Sequence, residues 1–109
     1  MKRFWIYSAA LSASMLISAV TYADDYVITL KNNQFSPKEL TIPAGQKIKL
    51  IVKNMDATAA EFESSDFNRE KIVGANSEIF VFIGPLDPGT YGYFDDFHRD
   101  TTTGIIIVK

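Results

Sequence analysis

The sequence predicts an all-β domain, an antiparallel Greek-key β-sandwich, and three observations predict it. β-branched and aromatic runs recur along the chain, among them Val27–Leu30, Ile48–Val52, Glu78–Ile83 and Ile105–Val108. Clusters of Gly, Pro, Asn and Asp separate these runs at the spacing of short strands joined by turns. No long amphipathic helical stretch interrupts the series after residue 24, and no internal repeat or low-complexity segment is present.

The first segment stands apart from the fold. Lys2 and Arg3 precede Phe4 to Val20, an apolar run interrupted only by serines, and Thr21-Tyr22-Ala23 then offers small residues three back and one back from a cleavage point. The expectation is a secretory signal peptide over 1–23 and one domain over 24–109. A retained membrane anchor is the alternative, since the run is near the ~18 residues that span a bilayer. The cleavage-like tripeptide and the acidic Asp24-Asp25 favour removal, leaving no stable anchor.

Val27–Leu30 reads as the first strand, ended by the Lys31-Asn32-Asn33 turn. Phe35 tucks inward beneath Ser36-Pro37, and Leu40 and Ile42 share one face of the next extended stretch. Ile48, Leu50 and Val52 then alternate with Lys47, Lys49 and Lys53, the clearest period-two pattern in the chain. After a loop over 54–59, Glu61-Phe62-Glu63 resumes an extended segment. Ser64-Ser65-Asp66 has the composition to cap a short helical turn over Phe67 to Lys71. Glu78–Ile83 is nearly all apolar, as in a strand buried on both faces or at a sheet centre; Phe80 and Phe82 accordingly join Ile48, Leu50 and Val52 in the expected core. Turns at Gly84-Pro85 and Asp87-Pro88-Gly89 lead to the aromatic strand Tyr91–Phe94, a polar loop, and the closing strand Ile105–Val108.

Composition narrows the chemistry. Without Lys2 and Arg3 the chain has nine basic and thirteen acidic residues, a net charge of about −4. No basic stripe exists, so nucleic acid and anionic membranes are poor partners and cations are better ones. There is no cysteine, which removes disulfides, thiolate catalysis and a blue-copper centre, whose copper needs a cysteine sulfur. Nothing resembles a nucleophile elbow or a Gly-rich oxyanion loop, so a serine hydrolase is set aside.

The remaining candidate is a metal site at one end of the sandwich. Gly89 to Gly104 gathers Asp95, Asp96, the single histidine His98, and Asp100 on one loop. Upstream, Glu61 and Glu63 are two apart, which in a strand puts both on one face with Phe62 on the other. Spacing alone favours an ordinary solvated strand face. Asp96 and His98 share that two-residue geometry, and a surface hydrogen-bonded pair is their plain reading. A neutral imidazole can also ligate through one nitrogen while an acid orients the other. Glu70 and Asp66 read as solvated.

Three landmarks make the chain resemble a cupredoxin-like domain: Leu40-Thr41-Ile42-Pro43-Ala44-Gly45-Gln46, Leu86-Asp87-Pro88-Gly89-Thr90-Tyr91, and Tyr91 to His98 followed by Thr103-Gly104 and the last strand. Copper carriers of that fold place a cysteine after the aromatic strand, where Asp95 stands here. His98 is retained, Thr101-Thr102-Thr103 replace the methionine, and no histidine lies near Ala60-Glu61. A soft site has become a hard one, suited to iron, manganese or Cu(II). The runs Glu61-Phe62-Glu63-Ser64, Arg69-Glu70-Lys71 and Asp96-Phe97-His98 are similar to the EfeO-type cupredoxin-like domains and to small periplasmic proteins accompanying Ftr-type iron permeases. That resemblance implies metal binding by Glu61, Glu63, Asp96 and His98; Asp95 and Asp100, on the same loop, are the alternates if the loop rotates. It further implies an iron or copper ion, a periplasmic location, and a role in ferrous iron uptake or oxidation beside a periplasmic iron-binding protein and an inner-membrane iron permease. Oxidation would make it part of a ferroxidase-type system and would need an electron acceptor such as a second metal. A metal-free interaction module and a copper-binding carrier are the other readings.

Overall fold

Lys47, Lys49 and Lys53 alternate with Ile48, Leu50 and Val52, and this alternation becomes a central strand with three side chains almost wholly buried and its lysines outward. A computed structural model of the protein describes residues 25–109. The predicted leader, 1–23, and Asp24 lie outside the described residues. In chain order the strands are β1 (Asp25–Lys31), β2 (Gln34–Ser36), β3 (Glu39–Ile42), β4 (Ile48–Asn54), β5 (Ala60–Ser64), β6 (Arg69–Val73), β7 (Glu78–Ile83), β8 (Gly89–Asp95) and β9 (Thr103–Val108). A 3-10 turn, Asp96–His98, follows β8.

Two sheets form the sandwich, one in the order β2-β1-β4-β7 and the other β3-β9-β8-β5-β6. The β-sandwich expected from the sequence is present, but its sheets are mixed rather than purely antiparallel. β1 runs parallel to β4 and β3 parallel to β9, because each pair joins strands that are not linked by a hairpin. Ile28, Leu30, Leu50, Val52 and Ile83 from the first sheet meet Phe62, Tyr93, Ile106 and Val108 from the second. Tyr93 packs edge-on to Phe35 at 4.9 Å and tilted against Phe62 at 5.2 Å between ring centroids. Such aromatic pairs add specific geometry to the buried area.

Two other expectations are corrected. The stretch after Ser64 is a hairpin, not a helical turn: Ser64 Oγ accepts from Phe67 N at 3.2 Å, and Asn68, at φ +56°, reverses the chain into β6. The serine cap is real, but it closes a loop over 65–68 with Ser64 paired to Arg69. β7 is an edge strand instead of a sheet centre. Its core residues are Val81 and Ile83, while Phe80 and Phe82 stay 45% and 47% exposed. Their rings lie beneath lysine ammonium groups, Lys49 over Phe80 at 4.3 Å and Lys47 over Phe82 at 5.3 Å. This cation–π cover explains how an apolar strand can hold an outward aromatic row.

The loop before β5 is organised by Asn54, which is buried. Its Nδ2 donates to the carbonyls of Thr58, Gly74 and Val73 at 2.8, 3.1 and 3.3 Å, and its Oδ1 accepts from Asp56 N at 2.9 Å. These bonds tie the start of β5 to the end of β6, on the elements that carry the acidic residues.

Candidate metal centre

The pleat of β5 sends Ala60, Phe62 and Ser64 into the core and leaves Glu61 and Glu63 half-buried on the outer face. β6 lies on one side and places Glu70 opposite Glu63. β8 lies on the other and places Phe94 opposite Glu63 and Asp95 opposite Phe62. One carboxylate oxygen from each of Glu61, Glu63 and Glu70 falls within 4.8 Å of the other two. Asp96, at the start of the 3-10 turn, lies near enough to add its charge to both Glu61 and Glu63.

Like charges crowd this face. Burial raises the Glu61 carboxyl above its ordinary value, and Glu70, Asp96 and Glu63 push it further in the same direction. Glu63 is raised by burial, then by Asp96 and Glu70, with Arg99 opposing the effect. Arg99 sits 3.9 Å from Asp96 Oδ1 and stacks over the Phe94 ring at 4.3 Å. A cation among these acids would relieve the repulsion that one guanidinium only partly offsets.

Asp95 has a different environment. It is 1% exposed, and its oxygens already have partners. Oδ1 accepts from Glu61 N at 2.9 Å and from Phe97 N at 3.0 Å. Oδ2 lies 2.9 Å from His98 Nδ1. The strand end is pinned further by Asp95 N donating to Thr102 O at 3.0 Å, and Thr102, itself buried, donates through Oγ1 to Asn33 O at 2.6 Å.

Of the residues singled out in the sequence, Glu61, Glu63 and Asp96 therefore come together on the outer face of the five-stranded sheet. His98 lies outside the three-glutamate group and is held against Asp95. Glu70 was missed. The signal for it was there, since Glu63 and Glu70 flank the 65–68 turn symmetrically, but reading that stretch as helical hid the pairing.

This donor set does not fit blue copper. No cysteine is present, and the strand-end position holds a carboxylate already saturated by N–H donors. The hard oxygen donors of Glu61, Glu63 and Glu70 suit a hard or borderline cation.

Residues 3–108 match the family model described as a cupredoxin-like domain. The chain belongs to the cupredoxin-like domain family. Among relatives of this cupredoxin-like domain is the uncharacterized protein RP394 of Rickettsia prowazekii (strain Madrid E), 48% identical over 82 residues. The match takes in 75% of this chain and 66% of the relative, so the chain spans just under two thirds of that protein's length. Solved structures share the fold at low identity. Auracyanin A, a "blue" copper protein from Chloroflexus aurantiacus, is 17% identical with a TM-score of 0.67, covering 79% of this chain and 98% of that one. The metal binding domain of the Cu(I) exporting P-type ATPase CopA of Streptococcus pneumoniae D39, solved with Cu(I), is 11% identical with a TM-score of 0.70, covering 78% and 84%. Amicyanin from Paracoccus versutus is 20% identical with a TM-score of 0.61, covering 84% and 87%. Among the described residues of the cupredoxin-like domain, no helix is long and apolar enough to cross a membrane.

Proposed function

We propose that this cupredoxin-like protein is exported to the periplasm after removal of residues 1–23 and binds a hard or borderline cation through Glu61, Glu63, Glu70 and Asp96. Iron is the cargo that best suits an all-carboxylate face, and the similarity of its Glu-Phe-Glu-Ser and Asp-Phe-His runs to EfeO-type domains points the same way. Its place is beside a periplasmic iron-binding protein and an inner-membrane iron permease, receiving ferrous iron or holding it during oxidation. The observation that carries this reading is the convergence of Glu61, Glu63 and Glu70 oxygens within 4.8 Å, on strands whose pairing fixes them there. A copper-binding carrier is the second reading, favoured by the copper proteins that share the fold. The missing thiolate restricts it to Cu(II) held by oxygen and imidazole. A metal-free interaction module is the third.

Growth under iron restriction, paired with metal titration, separates them. Glu61→Gln removes the charge and keeps the shape. It is expected to weaken iron binding tenfold or more, about 1.4 kcal/mol, and to slow iron-restricted growth only in cells that have the permease. Unchanged binding and unchanged growth would overturn the iron reading in favour of the interaction module. Binding of Cu(II) but not iron, with normal iron-restricted growth, would favour the copper carrier.

A further inference from the structure

We propose, independently of the cation-binding reading, that the outer edge of β7 is a strand-pairing site for the same strand of a second copy of this chain, and that Arg69 and Lys71 hold it closed and keep the protein monomeric.

β7 ends its sheet, with β4 on one side and no strand on the other among the described residues. Which of its backbone groups face that open side follows from one bond. Asn54 N donates to Ser77 O at 2.8 Å, which makes Asn54 and Ser77 a hydrogen-bonded pair. Such pairs alternate along an antiparallel ladder. The register Val52↔Ile79, Ile51↔Phe80, Leu50↔Val81 and Lys49↔Phe82 therefore turns the N–H and C=O groups of Phe80 and Phe82 away from β4. The run that carries this edge is Ile79-Phe80-Val81-Phe82-Ile83, β-branched or aromatic at every position, uncharged and without proline. An edge of that composition is a template for another strand. It is also self-complementary: a second β7 laid antiparallel sets Phe80 of one copy against Phe82 of the other, so that both exchange N–H and C=O bonds.

Two cations of β6 occupy the edge instead. Arg69 Nε donates to Phe82 O at 2.8 Å, and Lys71 Nζ donates to Phe80 O at 3.2 Å. The match is one of register, since the donors lie two apart on β6 and the carbonyls two apart on β7. Arg69 is steadied by Nη1 donating to Asn68 O at 2.9 Å. By strand alternation Arg69 and Lys71 share a face of β6 with the buried Val73, not the outer face that carries Glu70 and Ile72. Both side chains consequently reach across the rim from one sheet to the other. Charged residues turned inward at a sheet edge obstruct an incoming strand, because a partner would have to break both bonds and crowd two cations out of water.

Arg69→Ala/Lys71→Ala removes both guards, and Arg69→Lys/Lys71→Arg keeps donors at both positions. Sedimentation velocity of the exported chain is expected to give a monomer for the wild type and the exchanged pair, and at least a doubled mass for the alanine pair at the same concentration. Amide hydrogen exchange then locates the contact. Phe80 and Phe82 amides should exchange fast in the wild type and about tenfold or more slowly in the associated alanine pair. A folded alanine pair that stays monomeric would overturn the proposal. Association without new protection at Phe80 and Phe82 would overturn it too, by placing the contact elsewhere. Should the alanine pair fail to fold, the wild type still decides: a dimer, or a monomer whose Phe80 and Phe82 amides are strongly protected, contradicts a closed but unpaired edge.

Discussion

Without a cation, Glu63 is half-buried beside Glu61, Glu70 and Asp96, so the group that would bind an ion works against the fold that carries it. The sign follows from the shifts. The folded values of Glu61 and Glu63 lie above the ordinary 4.5, so the protonated pair contributes stability that is fully present below 4.5 and lost as pH rises through the folded values. Denaturant midpoints of the metal-free protein are expected to fall as pH rises through that window. Glu63→Gln should flatten the fall and raise the midpoint at neutral pH while weakening cation binding. A midpoint lowered at neutral pH by Glu63→Gln would mean that the acids are not in conflict. A second residue-scale constraint is steric. A Cβ on Gly104 would run into the Tyr93 ring, whose hydroxyl has no partner among the described residues. Gly104→Ala is expected to cost about 1–3 kcal/mol through overpacking, measurable by urea unfolding.

At the scale of the strand, β7 tests which face is core. Val81→Ala removes buried methyl groups and should cost about 2 kcal/mol. Phe80→Ala removes a larger but half-exposed ring and should cost less, mainly its contact with Lys49, about 0.5–1 kcal/mol. The reverse order in thermal unfolding would contradict the placement of β7 at the edge. This strand also shows where the sequence was silent. Alternation identified β4 because lysines marked its wet face, whereas β7 is apolar on both faces, Val81 and Ile83 inward and Phe80 and Phe82 outward, and its outward face is covered by Lys47 and Lys49 at the start of the neighbouring strand. The strands, turns and sandwich were legible from local pattern, but the parallel pairings were not, since they join segments distant in the chain. The shared face of Glu61 and Glu63 was legible from their spacing, and the resemblance alone singled them out, with Asp96, as candidate ligands. Glu70 depended on a hairpin that the Ser64 cap disguised, and the burial of Asp95 depended on backbone donors that no side-chain pattern reveals.

Across the whole molecule, charge is divided between the two outer faces. The four-stranded sheet presents Lys47 and Lys49 over Phe82 and Phe80, and the five-stranded sheet presents Glu61, Glu63 and Glu70. A cation held on that second face would lie on a sheet surface open to solvent, a placement suited to handover rather than to permanent burial. The measurement that bears most directly on this is elemental analysis of the protein purified natively from its own cells, beside a Glu61→Gln/Glu63→Gln variant purified identically. Stoichiometric iron in the first and its loss from a still-folded second is the expected result. A metal-free native protein, or a variant that retains the same metal, would contradict the carboxylate site.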